Sequence, residues 1–294
     1  MNELYPYKYP FDWIETLEFL KARSIKGVEL VTDECYLRTV RIGKHFGWIK
    51  VSHVPETHSL KMEYSPSLLP AQPALQNRLH KLFDLAADPD LINAHLIKHK
   101  LLKTSIAKHP GLRVLGAFDE FEMAIRTILS QQITVRAATA IFYRFTNAFG
   151  ENIITPFPEL SRLTVQAETV ARATVDAIAE LGIVSARAKC IIVMAQAFVS
   201  EGFLLEPKLK PETAIEKLVK LPGIGPWTAH NIAMRGLNWS DAFPKEDIAV
   251  RNVLGGVTAQ EAEELSQLWR PYRSYAVIHL WKMSSENHTN KLKC

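Results

Sequence analysis

Apolar residues follow two rhythms along this chain. Up to about Ala94 they come mostly in short alternating runs separated by polar or glycine-bearing turns, the period of strands with one buried face. From Phe118 onward they recur every three or four positions, the period of helices. In the first region Trp13, Leu17 and Leu20 fit a short amphipathic helix. Residues 27–31, 36–42, 48–53 and 59–64 then read as strands of a half-buried antiparallel sheet, with Arg38 and Arg41 expected on its outer side. Helices are predicted over 74–86 and 90–101, the second capped by Asp88 or Asp90, with Asp88-Pro89 marking a boundary.

Beyond residue 118 the pattern is all helical. In 118–132, Phe121, Ala124, Ile125, Ile128 and Leu129 share one face, and Asp119 and Glu120 occupy the favourable first turn. Further helices are expected over 135–149, 165–181, 185–200 and 212–219. The last of these stops at Leu221-Pro222-Gly223-Ile224-Gly225, where a proline ends the hydrogen-bond ladder and glycines accept angles closed to other residues. Pro226 suits the first turn of a new helix carrying Trp227, Ala229, Ile232, Ala233 and Leu237. So short a turn leaves the N–H groups of Gly223, Gly225 and Trp227 pointing outward at a helix N-terminus, where an anion is favoured. Two readings stay open: a tight corner between helices, or a main-chain grip on a phosphate that carries no base information. Asp247 then stands where a polar loop enters the next helix. It reads as an N-cap, a role compatible with facing a developing positive charge.

Composition narrows the class. At 47% hydrophobic and 22% charged the chain is an ordinary globular one, and a formal net charge of +4 permits a polyanionic partner without requiring it. Lys98, His99, Lys100, Lys103, Lys108 and His109 form a basic stretch, either a solvated helix face or a source of weak phosphate attraction. Cysteines at 35, 190 and 294 lie too far apart for a zinc motif or a disulfide framework, which points to a reducing compartment. The longest apolar run, 190–199, is too short for a membrane span, and the first 15 residues do not read as a signal peptide.

The hairpin sequence through Pro226-Trp227-Thr228-Ala229, with Asp247 placed 22 residues after Gly225, resembles the helix-hairpin-helix, Gly/Pro-loop, Asp superfamily of DNA base-excision glycosylases. Ile232-Ala233-Met234-Arg235-Gly236, Asp241-Ala242-Phe243 and the stretch from Trp269 through Tyr275 to Trp281 are most similar to its DNA-3-methyladenine glycosylase II branch. So are Phe11-Asp12-Trp13, Phe19-Leu20, Ala22-Arg23 and Leu82-Phe83-Asp84-Leu85 in the N-terminal part. The resemblance implies an α+β, mostly α fold. An N-terminal antiparallel sheet domain with helices (1–95), taken as accessory, precedes two all-α subdomains flanking a DNA-binding cleft. One spans 118–238 and contains the hairpin (212–237); the other joins 96–117 to 239–282 and carries the aspartate. Residues 283–294 are expected to fray, leaving Cys294 an exposed thiol.

The same resemblance distributes roles. Asp247 would stabilise the sugar cation and orient water, while Gly223, Gly225 and Trp227 would hold the DNA backbone. Trp227, Trp281, Asn231 and Ile248 would line the base pocket, the last two standing where the best-known member has tyrosines. Gln132, with Gln131, would wedge into the gap left by the extruded nucleotide, in a position otherwise apolar; a polar helix C-cap is the alternative. Superfamily lyases carry a Schiff-base lysine where this chain has Trp227, which implies a monofunctional hydrolase. No metal or other cofactor is expected, and the three cysteines cannot hold the iron–sulfur cluster of some members. The expected partner is duplex DNA with damaged bases, bound by a cytoplasmic, nucleoid-associated monomer without membrane contact. A non-catalytic DNA-binding protein and a glycosylase for deaminated or oxidised bases are the competing readings.

Overall fold

The computed structural model describes the backbone of residues 1–201 and 210–291, with side chains described over 1–200 and 210–287. The N-terminal module is built from β1 (Asn2–Pro6), α1 (Trp13–Lys21), β2 (Glu29–Val31), β3 (Cys35–Ile42), β4 (His45–Val54) and β5 (Ser59–Tyr64). They form one antiparallel sheet in the order β1-β5-β4-β3-β2. The strands predicted over 27–64 are present. β1 is additional: only Tyr5 among its residues is buried, so its sequence lacks the alternation that marks a strand.

Helices follow: α2 (Gln72–Phe83), α3 (Pro89–Leu96), α4 (Lys100–Lys108), α5 (Glu120–Leu129), α6 (Val135–Phe149), α7 (Ala167–Ala171), α8 (Val175–Ala179), α9 (Ser185–Glu201), α10 (Pro211–Leu218), α11 (Pro226–Gly236), α12 (Ile248–Val253), α13 (Ala259–Ser266) and α14 (Arg273–Lys291). Two predicted helices are each split, and in each case the residue at the break caps the next helix in an extended conformation. His99 does so before α4 and Thr174 before α8, the threonine hydroxyl accepting from Ala177 N at 3.2 Å. The polar stretch from Met283 continues α14 instead of fraying, and Glu286 accepts from Lys108 at 2.6 Å. Cys294 lies outside the described residues.

Arg38 overturns the expected placement. It lies two residues from Tyr36 and two from Val40, so the pleat turns all three to the same face, and Arg38 is 2% exposed. Its Nη2 donates to Glu122 Oε2 of α5 at 2.6 Å, and its guanidinium lies over Phe118. Arg126 donates to the other Glu122 oxygen at 3.0 Å and pairs with Glu29, which also accepts from Tyr36 at 2.7 Å. Burial raises the Glu122 carboxyl, but Arg38 and Arg126 outweigh it and hold the group down to about 2. This network fixes α5 onto the sheet.

Among the described residues four apolar cores result: a small one of Cys35, Leu37 and Leu160, one under the sheet, one among α5, α6, α9 and α10, and one around α4, α12 and α14. Helix α11 sits between the last two. Ala229 and Ile232 belong to the first of that pair and Ala233 and Met234 to the second, which leaves a third face of α11 free for a site.

Buried histidines make stability pH-dependent. Burial lowers His279 and His230 to about 4, whereas burial raises Asp84 to about 6. For the histidines the unfolded chain binds protons first, so their contribution is complete above about pH 6.5 and is lost as pH falls toward 4. Asp84 has the opposite sign and partly offsets the loss in the same window. These three groups together are expected to remove about 3 kcal/mol of stability between pH 6.5 and 4. Thermal melts across that range check it, and Asp84→Asn, which removes the offset, should steepen the fall.

Candidate active site

Asp247 closes the loop after α11 and caps α12: its Oδ1 accepts from Val250 N at 3.0 Å. The loop is pinned from outside. Arg273, buried at the start of α14, donates to the Asp241 carboxylate at 3.0 Å and to the Asp241 carbonyl at 2.7 Å, and Ser274 Oγ donates to Trp239 O at 2.7 Å. Two indoles then converge on the carboxylate. Trp227 Nε1, from the first turn of α11, donates to Oδ2 at 3.0 Å, and Trp281 Nε1, from α14, donates to Oδ1 at 3.3 Å. Asp247 is 9% exposed, so three donors from three helices hold an almost fully buried carboxylate in one orientation.

The hairpin turn lies beside it. Gly223 has φ +85°, and a Cβ there would come within 2.9 Å of Cys190 Cβ, so this glycine is required by the fold itself. Gly225 differs. Its φ of −89° and ψ of 172° suit any residue, and an added Cβ would meet nothing within 4 Å. Both glycines are exposed, and their amides carry no hydrogen bond among the described residues.

One cleft of about 1140 Å³ brings the predicted site residues together: Gln131, Gln132, Gly223, Gly225, Trp227, Asn231, Asp247, Ile248 and Trp281 all line it. Asn231 is buried and ties back to Trp227 O at 3.0 Å, whereas Ile248 is 69% exposed and stands at the mouth. Of the basic stretch 98–109, none lines the cleft; Lys108 and His109 pair with Glu286 instead.

Two family models match the chain: the AlkA N-terminal domain over residues 3–119 and the HhH-GPD superfamily base excision DNA repair protein over residues 125–274. The chain belongs to the HhH-GPD superfamily. DNA-3-methyladenine glycosylase 2 of Escherichia coli strain K12 is 33% identical to this superfamily member over 275 residues, covering 92% of this chain and 94% of that one. DNA-3-methyladenine glycosylase of Bacillus subtilis strain 168 is 31% identical over 292 residues, covering 93% and 94%. The solved structure of 3-methyladenine DNA-glycosylase from Archaeoglobus fulgidus superposes with a TM-score of 0.84 at 17% identity, covering 96% and 98% of the two chains, a likeness of fold.

The two glutamines expected as a wedge part company. Gln132 is exposed in the left-handed region at φ 58°, at the tip of the loop between α5 and α6, and the α5 C-cap is Ser130. Gln131 turns inward, its Nε2 donating to Gly223 O and to Thr228 Oγ1, both at 3.0 Å, while its own carbonyl accepts from Arg187 at 2.8 Å. It is a strut between this loop and the hairpin, which sequence spacing alone could not reveal because its hairpin partners lie more than 90 residues away. Sequence reasoning also missed Phe19 and Arg23 of the N-terminal module and Arg235 of α11, which line the cleft. That module is part of the site wall as well as a packing unit.

Replacing the strut's amide by a carboxylate sets an oxygen against the Gly223 carbonyl. Gln131→Glu is expected to lower the thermal midpoint by about 2–6 °C, read by calorimetry, from the loss of a bond pair worth about 1–2 kcal/mol. An unchanged midpoint would show that the strut contributes nothing.

Proposed function

We propose that this protein is a monofunctional DNA glycosylase that hydrolyses the N-glycosidic bond of alkylated purines, 3-methyladenine type, in duplex DNA and leaves an abasic site. One observation carries the reading: the Asp247 carboxylate, oriented by Trp227 and Trp281, faces the same cleft as the unpaired amides of the hairpin. The relatives named as 3-methyladenine glycosylases support the substrate class.

The amides of Gly223 and Gly225 grip a backbone phosphate, and the absence of a side chain at Gly225, which nothing within the protein requires, lets the strand approach closely. Gln132 at the loop tip fills the gap in the duplex when a nucleotide swings out, at a cost in stacking of a few kcal/mol. The base enters between the indoles. Alkylation gives it a positive charge, which an aromatic face favours by about 0.5–2 kcal/mol. As the C1′–N bond breaks, its electron pair neutralises the base and positive charge moves to the sugar, where Asp247 stabilises it. Water adds to C1′, and Asp247 takes its proton.

A lyase route needs an amine. Among the described residues that line the cleft none is a lysine, and Trp227 offers an indole whose N–H is already engaged. Asp247→Asn keeps an acceptor for the α12 cap, while its NH2 meets the Trp227 indole N–H in place of Oδ2. It should slow release of free base from methylated duplex by about a hundredfold to a thousandfold in single turnover while salt-dependent duplex binding persists. Borohydride treatment with an abasic-site duplex should trap no covalent adduct. Undiminished release by Asp247→Asn would remove the aspartate from the mechanism, and a trapped adduct would make the enzyme a lyase.

A further inference from the structure

The loop between α5 and α6 is joined to the hairpin through one half-buried side chain. Gln131 Nε2 donates to Gly223 O and to Thr228 Oγ1, both at 3.0 Å. A carbonyl can only accept, so Gly223 fixes which end of the amide turns inward. The peptide joining Gly223 to Ile224 is thereby held at both ends, since Ile224 N donates to Leu221 O at 3.1 Å. The amides of Gly223 and Gly225, which carry no hydrogen bond among the described residues, lie one peptide to either side of it. Thr228 is buried in the first turn of α11, next to the Trp227 whose indole holds Asp247. From the other direction Arg187 Nη2 of α9 donates to Gln131 O at 2.8 Å, and α9 also packs Cys190 under Gly223. Gln132 follows at once, exposed and at φ 58°, a left-handed conformation that a glutamine keeps only where its neighbours are fixed.

We infer that Gln131 is a positioning residue for base eversion: it locks the Gln132 loop to the hairpin, so that gripping a phosphate and filling the vacated stack occur as one rigid movement. The inference rests on the glycosylase reading and adds a residue to it. Everting a nucleotide breaks its pairing and stacking, and a loop that had to be ordered during that step would add its own conformational entropy to the cost. A loop already tied to the grip adds little. Because Gln131 is its immediate neighbour, Gln132 arrives in a set relation to the phosphate held at Gly223 and Gly225. The role of Gln131 lies in placing its neighbours, Gln132 on one side and Gly223 and Thr228 on the other. Asp247 acts on the nucleotide after it has left the stack, so the two residues contribute to different steps and their loss leaves different kinetic traces.

The test places the same alkylated purine in a paired duplex and in a one-nucleotide bulge, where eversion breaks no pair and leaves no gap to fill. Release of the base is read in single turnover with saturating enzyme. Comparing the two substrates within one preparation cancels any change in the folded fraction. Gln131→Ala, which removes both hydrogen bonds of the amide, should slow the paired duplex about tenfold to a hundredfold more than the bulge. Thr228→Val removes one acceptor and should shift the ratio the same way but by less, and the double variant should be no worse than Gln131→Ala alone, since one contact cannot be lost twice. Equal or greater slowing of the bulge, the pattern of a loss of chemistry or of fold, overturns the inference, and so does an unchanged rate on both substrates; each leaves the glycosylase reading standing. A wild type that releases no alkylated purine from any substrate overturns both.

Discussion

A carboxylate withdrawn from water must have its lone pairs occupied, and meeting that requirement at Asp247 organises the site. Burying the charge without partners would cost several kcal/mol. The partners come from the amide of α12 and from indoles on α11 and α14, so these helices must arrive in fixed relation for the charge to be tolerated. None of the three donors is itself ionised. The charge is oriented without being cancelled, which an arginine or lysine partner would have done, and it keeps its field for whatever occupies the cleft.

The second constraint lies at the opposite wall. Glu122 of α5 is shared between Arg38 of the sheet and Arg126 of its own helix, and Glu29 closes the set. Such a network contributes little net stability, but losing one partner is costly, on the order of 3–5 kcal/mol, so it holds a single arrangement. That arrangement sets where α5 ends. Gln131 then hands the position on to the hairpin through Gly223 and Thr228, and Arg187 steadies its carbonyl. The sheet, the loop between α5 and α6, and the hairpin are thus joined by polar contacts running along one side of the cleft.

What was legible in the sequence follows the range of the interactions. The hairpin and the Asp247 cap could be read because turn, cap and first helical turn are local, decided by residues within a few positions. Trp281 was reached only through resemblance, since 34 residues separate it from the carboxylate it touches. The strand's own two-residue period sets Arg38 beside Tyr36, but the Glu122 that compensates its charge lies 84 residues on, so nothing local marks the arginine as buried. The helices broken at His99 and Thr174 kept their apolar spacing across the break, which periodicity alone reads as continuity. The contribution of Phe19 and Arg23 to the cleft has no local mark at all, because it depends on how α1 packs against α11.

The buried carboxylate gives the cleft a chemical direction. Heterolysis of a glycosidic bond moves electrons from sugar to base, so the sugar gains positive and the base negative character whatever charge the base began with. A carboxylate at the sugar end favours that movement, and acts more strongly as water leaves the cleft. Its three donors are neutral, so the charge that the sugar meets is held in place without being cancelled. The contribution of α1 to the wall is what separates this arrangement from a pocket built on α11, α12 and α14 alone.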